Sequence, residues 1–499
     1  MLPRDAAGAA SIGLTDVLSS GTAGPAALRG GILRGGGYLV GAAVAATWAG
    51  LLFRHLGVID TGHYVTAMSL VAIVAALSDL GLTAVGIREL SIRTERERGT
   101  LARDLLGLRI VITIIGGAVV TGIAFCAYSK VLGAGVGLAC MGLLLQAASD
   151  NYALGLIVGL RLGWVAALDL LRQLLTALVV LMLVVLGARL LPFLAVSIPV
   201  GVVILVCTAR LIRGSRMLTP SFNWRHWQAL LAPIIPYSLA VAAFAIDFRI
   251  SVLLVSALST GTQLGYFSAA FRVLEGLTVL PGILIGSVLP IFARAASEDH
   301  ARFGYALGKV FEVTLMVGVW VGGSVVIGAP LAMHVIAGAR FSGAGSVLAI
   351  QGIALGSMFV GVAWSSGLLS LGLYRVIFIL NASALALDVI LVTALAIPFG
   401  ARGAAAATAV TGIVITISEV IAVSWGRRRL RPPLRIVPRV VAAGVVGMAP
   451  ALLLSVPTTV RLCIWTIVFG FVLIATRAIP SELWEMIPRL RGRVSQESV

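Results

Sequence analysis

Apolar runs of about 20 residues follow one another from residue 31 to residue 477, separated by short stretches rich in charge, Gly or Pro. A helix rising ~1.5 Å per residue crosses a ~30 Å hydrocarbon core in about that length. Fourteen spans are predicted, at 31–53, 63–86, 105–128, 131–157, 165–187, 191–208, 229–256, 265–292, 305–328, 346–370, 375–397, 403–425, 438–456 and 459–477. The fourth, seventh, eighth and tenth are longer than a straight crossing needs, so tilt or a kink is expected. Pro233 and Pro236 open the seventh span, and Pro281 inside the eighth predicts a bend. The expected fold is all-α: a polytopic integral membrane protein with two six-helix lobes and two C-terminal helices.

The polar stretches divide the chain further. Residues 1–30 form an Ala/Gly/Ser-rich tail, 31–208 the N-terminal lobe, and 209–228 a basic linker, "ARLIRGSRMLTPSFNWRHWQ". The C-terminal lobe is 229–425, followed by a second basic linker at 426–437, helices thirteen and fourteen at 438–477, and a tail at 478–499. With the N-terminus cytoplasmic, and basic residues near span ends counted with the adjoining loop, 28 Lys and Arg fall inside and 6 outside, while Arg172, Arg249 and Arg272 lie deep within spans. Basic residues hold loops in the cytoplasm, so both termini are expected there. No cleavage pattern follows the first apolar run, which is expected to remain as a helix.

The two lobes echo each other. "LGARLLPFLA" (186–195) and "FGARGAAAAT" (399–408) each join the fifth and sixth spans of a lobe, 213 residues apart. "DTGHYVTAMS" (60–69) and "QLGYFSAAFR" (263–272) each open the second span, 203 residues apart. Both lobes start inside, so this is a parallel repeat about an axis along the membrane normal, a design that places a substrate path between lobes.

Composition agrees with the pattern. The 499 residues are 59% hydrophobic and 11% charged, against roughly 25% charged in soluble proteins. The net charge of +17 is accounted for by cytoplasmic loops, and no nucleic-acid partner is expected. Cys126, Cys140, Cys207 and Cys463 lie in apolar runs without metal-ligand spacing, and the five histidines are scattered. No phosphate-binding GxxxxGK[ST] loop, GxSxG or HExxH occurs. Neither catalysis, a metal nor a cofactor is expected.

Charges inside the spans stand out, because each costs at least about 2.5 kcal/mol at the bilayer centre. Spans seven and eight form an antiparallel hairpin turning near Thr260. Equal depth then places Asp247 level with Glu275, and Arg249 level with the neighbour of Arg272, roughly 12 Å from one surface at ~1.5 Å per residue. Arg272 and Glu275 share a face, while Asp247 and Arg249 point about 200° apart. In spans four and five, Asp169, Arg172, Gln173 and Thr176 form one polar stripe, and Asp150 falls level with Arg172. Either cluster is also readable as ion pairs that only fix packing. Asp388, Glu419 and Glu312 are expected to join helices, and Asp79 to pair with Arg88 at the interface.

Some stretches resemble a known family. "FRHLGVIDTGHYVTAMSLVAIVAALSDLGLTAVGIRELS" (53–91) looks like the first hairpin of bacterial polysaccharide transporters, "LGYFSAAFRVLEGLTVLPGILIGSVLPIFAR" (264–294) their eighth helix, and "PFGARGAAAATAV" (398–410) the approach to their twelfth. They belong to the multidrug/oligosaccharidyl-lipid/polysaccharide (MOP) exporter superfamily. The resemblance implies a cavity lined mainly by helices one, two, seven and eight, and flipping of a polyprenyl-diphosphate-linked oligosaccharide to the outer leaflet of the bacterial inner membrane. Arg272 and Arg249, with Arg54 at the rim, would then hold the diphosphate. Asp247, Glu275, Asp150, Asp169 and Arg172 would supply coupling or cavity polarity. Beyond the bilayer and the lipid-linked oligosaccharide, an envelope polymerase or glycosyltransferases are expected partners. The rival readings are a peptidoglycan-precursor flippase, a drug or cation antiporter, and, more remotely, a glycosyltransferase or polymerase, which the short outside loops oppose.

Overall fold

The structure is a computed structural model describing residues 23–212, 219–231, 235–286, 292, 300–425 and 430–478. The chain ends, 1–22 and 479–499, and the centres of both basic linkers, 213–218 and 426–429, lie outside the described residues.

The described residues contain no strand. Among them, twelve helices are long and apolar enough to cross a membrane. Two of these are far longer than one crossing requires. Ala23–Asp79 is broken at Gly57 (φ 75°) into α1 (23–56) and α2 (58–79). The rest follow as α3 (Leu82–Ile92), α4 (Glu95–Ala127), α5 (Lys130–Val158), α6 (Leu162–Val185), α7 (Leu190–Leu194), α8 (Ser197–Leu211) and α9 (Trp224–Leu231). Next come α10 (Ile235–Leu258), α11 (Gly261–Leu277), α12 (Val279–Gly286), α13 (His300–Ile336) and α14 (Ala344–Ser370). Tyr374–Ser424 is broken at Gly400 (φ 57°) into α15 (374–399) and α16 (401–424). The last two are α17 (Ile436–Leu453) and α18 (Thr458–Ala475). The chain is a multi-pass, all-helical membrane protein.

Contacts group the chain into two units, Met1–Trp48 with Leu77–Ala232, and Ala49–Ala76 with Pro233–Val499. In the first, α5 is central, flanked by α3, α4, α6, α7 and α8. Small residues permit this approach: a Cβ on Gly142 would lie 2.0 Å from the Ser197 hydroxyl, as expected where helices pack without a hydrophobic driving force. The segment 219–231 is strapped to the start of α4. There Trp227 Nε1 donates to the Asp104 carbonyl (3.0 Å), Ser221 N donates to the Arg103 carbonyl (3.0 Å), and His226 Nδ1 lies 3.0 Å from Asp104 Oδ2.

Asp79 does not pair with Arg88. Positive φ at Leu80 (40°) and Gly81 (78°) ends α2 and re-aims the chain into α3, so Arg88 leaves the face that carries Asp79. Asp79 instead accepts from Arg109 of α4, and the Thr83 hydroxyl contacts both side chains. Arg109 is 3% exposed and Asp79 41%. Asp79→Asn would leave a buried guanidinium without its counter-ion. The expected loss is about 1–3 kcal/mol, read as a lower melting temperature in detergent, with Arg109→Met in the same background restoring part of it.

In the second unit α14 is central, packed by α11, α13 and the α15–α16 pair. Trp364 and Trp465 are fully buried. Trp465 Nε1 donates to Ser324 Oγ (3.1 Å) and fixes α18 on α13. Pro281 breaks the eighth predicted span as its missing N–H requires: α11 stops at Leu277, the residue whose carbonyl Pro281 would have bonded.

Gly187 and Gly400, the glycines of the two GAR motifs, both adopt positive φ, at 65° and 57°. Gly62 and Gly265, aligned in the second pair of segments, bring α2 and α11 into contact. A Cβ on Gly62 would meet the Leu264 side chain at 2.8 Å, and one on Gly265 would lie 2.1 Å from the Val58 carbonyl oxygen. That packing, the Phe53–Phe341 ring contact and the Arg54–Val335 bond all join residues 49–76 to the second unit.

Candidate functional site

The charged residues of α10 and α11 form one cluster in the second unit. Glu275 is the hub: its Oε1 accepts from Arg249 Nη2 and its Oε2 from Arg272 Nη1. One carboxylate thus bridges two guanidiniums, on side chains 16–33% exposed. Arg249 is fixed further, its guanidinium carbon 5.4 Å from the ring centroids of both Phe248 and Phe271. Cation–π contacts of this kind position a cation without neutralising it. Tyr64 of α2 is buried within electrostatic range of Arg272 and Glu275.

Asp247 does not join the pairing. Two residues apart on a helix point in opposed directions, so only one of Asp247 and Arg249 faces α11. Arg249 does, and Asp247 faces a half-open cavity of about 480 Å³ that also touches Tyr237, Phe248, Thr278, Asn381 and Glu419. Among the described residues, no Arg or Lys lines that cavity. A smaller space of about 120 Å³ adjoins it through Asp247 and Phe248, and reaches Ser251, Gln351 and Asp388. Ser251 Oγ donates to Asp388 Oδ2 at 2.6 Å, while Asp388 Oδ1 and both amide atoms of Gln351 have no hydrogen-bond partner among the described residues. Asp388 joins α15 to α10, as expected of it; Glu312, expected to join helices, instead pairs at 3.2 Å with Lys309 one turn away on its own helix, α13.

Arg54 lies elsewhere. Its Nη2 donates to the Val335 carbonyl in the last turn of α13, where a cation also opposes the negative end of the helix dipole.

The first unit holds the second cluster. Arg172 Nη2 donates to Asp150 Oδ1 at 3.1 Å, the level match that the α5–α6 hairpin predicts. Gln173 accepts from Trp48 Nε1 at 3.4 Å. Asp169 is exposed on α6, three residues before Arg172.

The aromatic walls of the arginine site and the placement of Tyr64 and Gln351 were not anticipated. A signal for the walls is visible in the chain: both arginines occur as Phe-Arg, at 248–249 and 271–272. Gln351 and Tyr64 come from distant helices and carry no local signal.

No sequence-family model matches the chain. No curated protein matches it. Solved structures do. The lipid II flippase MurJ in an inward closed conformation superposes with a TM-score of 0.74 at 13% identity, over 89% of this chain and 99% of that one. An inward-facing multidrug resistance MATE family transporter of the MOP superfamily gives 0.58 at 16% identity, over 80% and 98%. A MOP superfamily transporter from Pyrococcus furiosus, described as having a binding pocket of reverse polarity, gives 0.57 at 14% identity, over 81% and 95%. The chain therefore shares the fold of these structures, the one the resemblance implied.

Proposed function

We propose that this chain is a flippase for a polyprenyl-diphosphate-linked oligosaccharide. The observation that carries the reading is the convergence of Arg249 and Arg272 on one carboxylate within an apolar hairpin. Two arginines forced to one point in a low-dielectric setting match a diphosphate, because each guanidinium forks onto phosphate oxygens. A lipid tail would remain in hydrocarbon while the headgroup crosses. The substrate would move from the inner to the outer leaflet of the bacterial inner membrane, with both chain termini cytoplasmic, in support of envelope polysaccharide assembly. Partners would be the lipid-linked substrate and an envelope polymerase or glycosyltransferases. The chain performs no catalysis in this reading.

Asp247, beside Asp388 and away from the arginines, is the candidate coupling acid. Asp150, Asp169 and Arg172 add polarity in the first unit, and Arg54 serves as a rim residue. A peptidoglycan-precursor flippase is the second reading, favoured by the superposition on MurJ and relying on the same diphosphate chemistry. A drug or cation antiporter would use the cavity that Asp247 faces instead.

Depletion of the protein followed by chemical analysis of lipid intermediates separates these readings. Full-length lipid-linked oligosaccharide trapped on the inner leaflet is the expected result. Accumulated peptidoglycan precursor selects the second reading. No accumulation, or unpolymerised units already outside, removes the flippase assignment.

A further inference from the structure

In the structure the proposed diphosphate site is filled by the protein itself. Glu275 presents two oxygens about as far apart as those of one phosphate, and each takes a different arginine. Arg249 is flanked by Phe248 and Phe271, so its place does not depend on Glu275 alone. An incoming anion therefore competes with a covalently attached one, always present at high effective concentration.

Resting on the diphosphate reading above, we propose that Glu275 is an internal anion that the substrate displaces, and that this exchange sets the charge the site demands. A singly charged phosphodiester, such as an anionic phospholipid headgroup, only replaces one negative charge with another. It gains nothing in Coulomb energy and gives up a bond geometry already satisfied. A diphosphate diester brings two charges and enough oxygens to fork onto both arginines, so it gains an interaction that the carboxylate cannot supply. Selection by an internal competitor is discrimination against the wrong ligand. It matters here because anionic phospholipids vastly outnumber any lipid-linked intermediate. The same carboxylate helps release: as the headgroup leaves, Glu275 returns to the arginines, and two bare cations are never left facing each other.

The test uses the full-length chain in nanodiscs of phosphatidylcholine, with and without phosphatidylglycerol, and farnesyl diphosphate as the binding probe. In the wild type, affinity for farnesyl diphosphate is expected to change less than twofold when phosphatidylglycerol is added. Glu275→Gln is expected to bind the probe at least tenfold more tightly in pure phosphatidylcholine and to lose most of that gain in phosphatidylglycerol. Glu275→Asp, whose shorter side chain cannot span both arginines, is expected to fall between and serves if the Gln variant does not fold. Inorganic pyrophosphate is run in parallel. Weaker binding of pyrophosphate than of the farnesyl compound supports a lipid source for the headgroup, and the reverse order overturns it. Unchanged or weaker probe binding in both Glu275 variants, with binding lost in Arg272→Gln, overturns the internal anion while leaving the diphosphate reading standing. Binding that survives Arg272→Gln removes both.

Discussion

Replacing Arg272 by glutamine is expected to abolish translocation while leaving the protein inserted and folded. Each hydrogen bond from a guanidinium to a charged oxygen contributes about 1.5–3 kcal/mol, and a fork supplies two. Losing the fork therefore weakens headgroup binding by at least about 3 kcal/mol, more than a hundredfold. Arg249→Gln is expected to act in the same direction. Its rings remain in place, but the charge they flank is gone. Arg272→Lys keeps the charge and loses the fork, so partial activity, about a tenth of the wild type or less, is expected. Outward movement of a short-chain polyprenyl-diphosphate saccharide in proteoliposomes measures the effect. A melting curve of the same preparations separates lost function from lost fold. Normal transport by Arg272→Gln would reduce the cluster to a packing device, in which case the melting temperature alone should fall.

The second large effect is expected at Gly265. Even alanine there places a Cβ 2.1 Å from the Val58 carbonyl oxygen, and backbone cannot rotate away as a side chain can. Either α11 or the α1–α2 turn has to move. Overpacking of this kind costs about 1–3 kcal/mol when side chains can yield, and more is expected here. Gly265→Val should lower the melting temperature by several degrees and reduce transport, and Gly62→Val should do the same through Leu264. Gly122→Ala is the control, since no atom lies within 4 Å of a Cβ built there. It should be neutral or slightly stabilising, given the better helix propensity of alanine. A Gly265→Val protein as stable and active as the wild type would show that the two helices do not need this contact.

Much of this was legible in the chain because the relevant physics is local. Apolar runs mark the spans, and Pro281 marks the break in the eighth. Helical spacing with a short turn placed Asp150 opposite Arg172, and it separated Asp247 from Arg249. What failed was local too, but rarer: left-handed geometry at Leu80, a residue type that seldom adopts it, diverted Arg88 from Asp79. The rest depends on distant helices. Nothing near Gln351 indicates that it shares a cavity with Asp388, and nothing near Gly62 indicates that Gly265 is its neighbour. The Phe-Arg pairs were visible, and only their convergence required the fold.

One bond at the turn between α15 and α16 bears on how the molecule is made. The break at Gly400 leaves the N–H of Ala401 without a carbonyl from the preceding turn, and Gln263 Oε1 accepts it at 3.1 Å. Gln263 belongs to the first turn of α11, more than a hundred residues earlier in synthesis. An unsatisfied backbone donor is expensive where water is scarce. The late hairpin therefore closes properly only against a partner that has already emerged, so the order of translation becomes part of the assembly route.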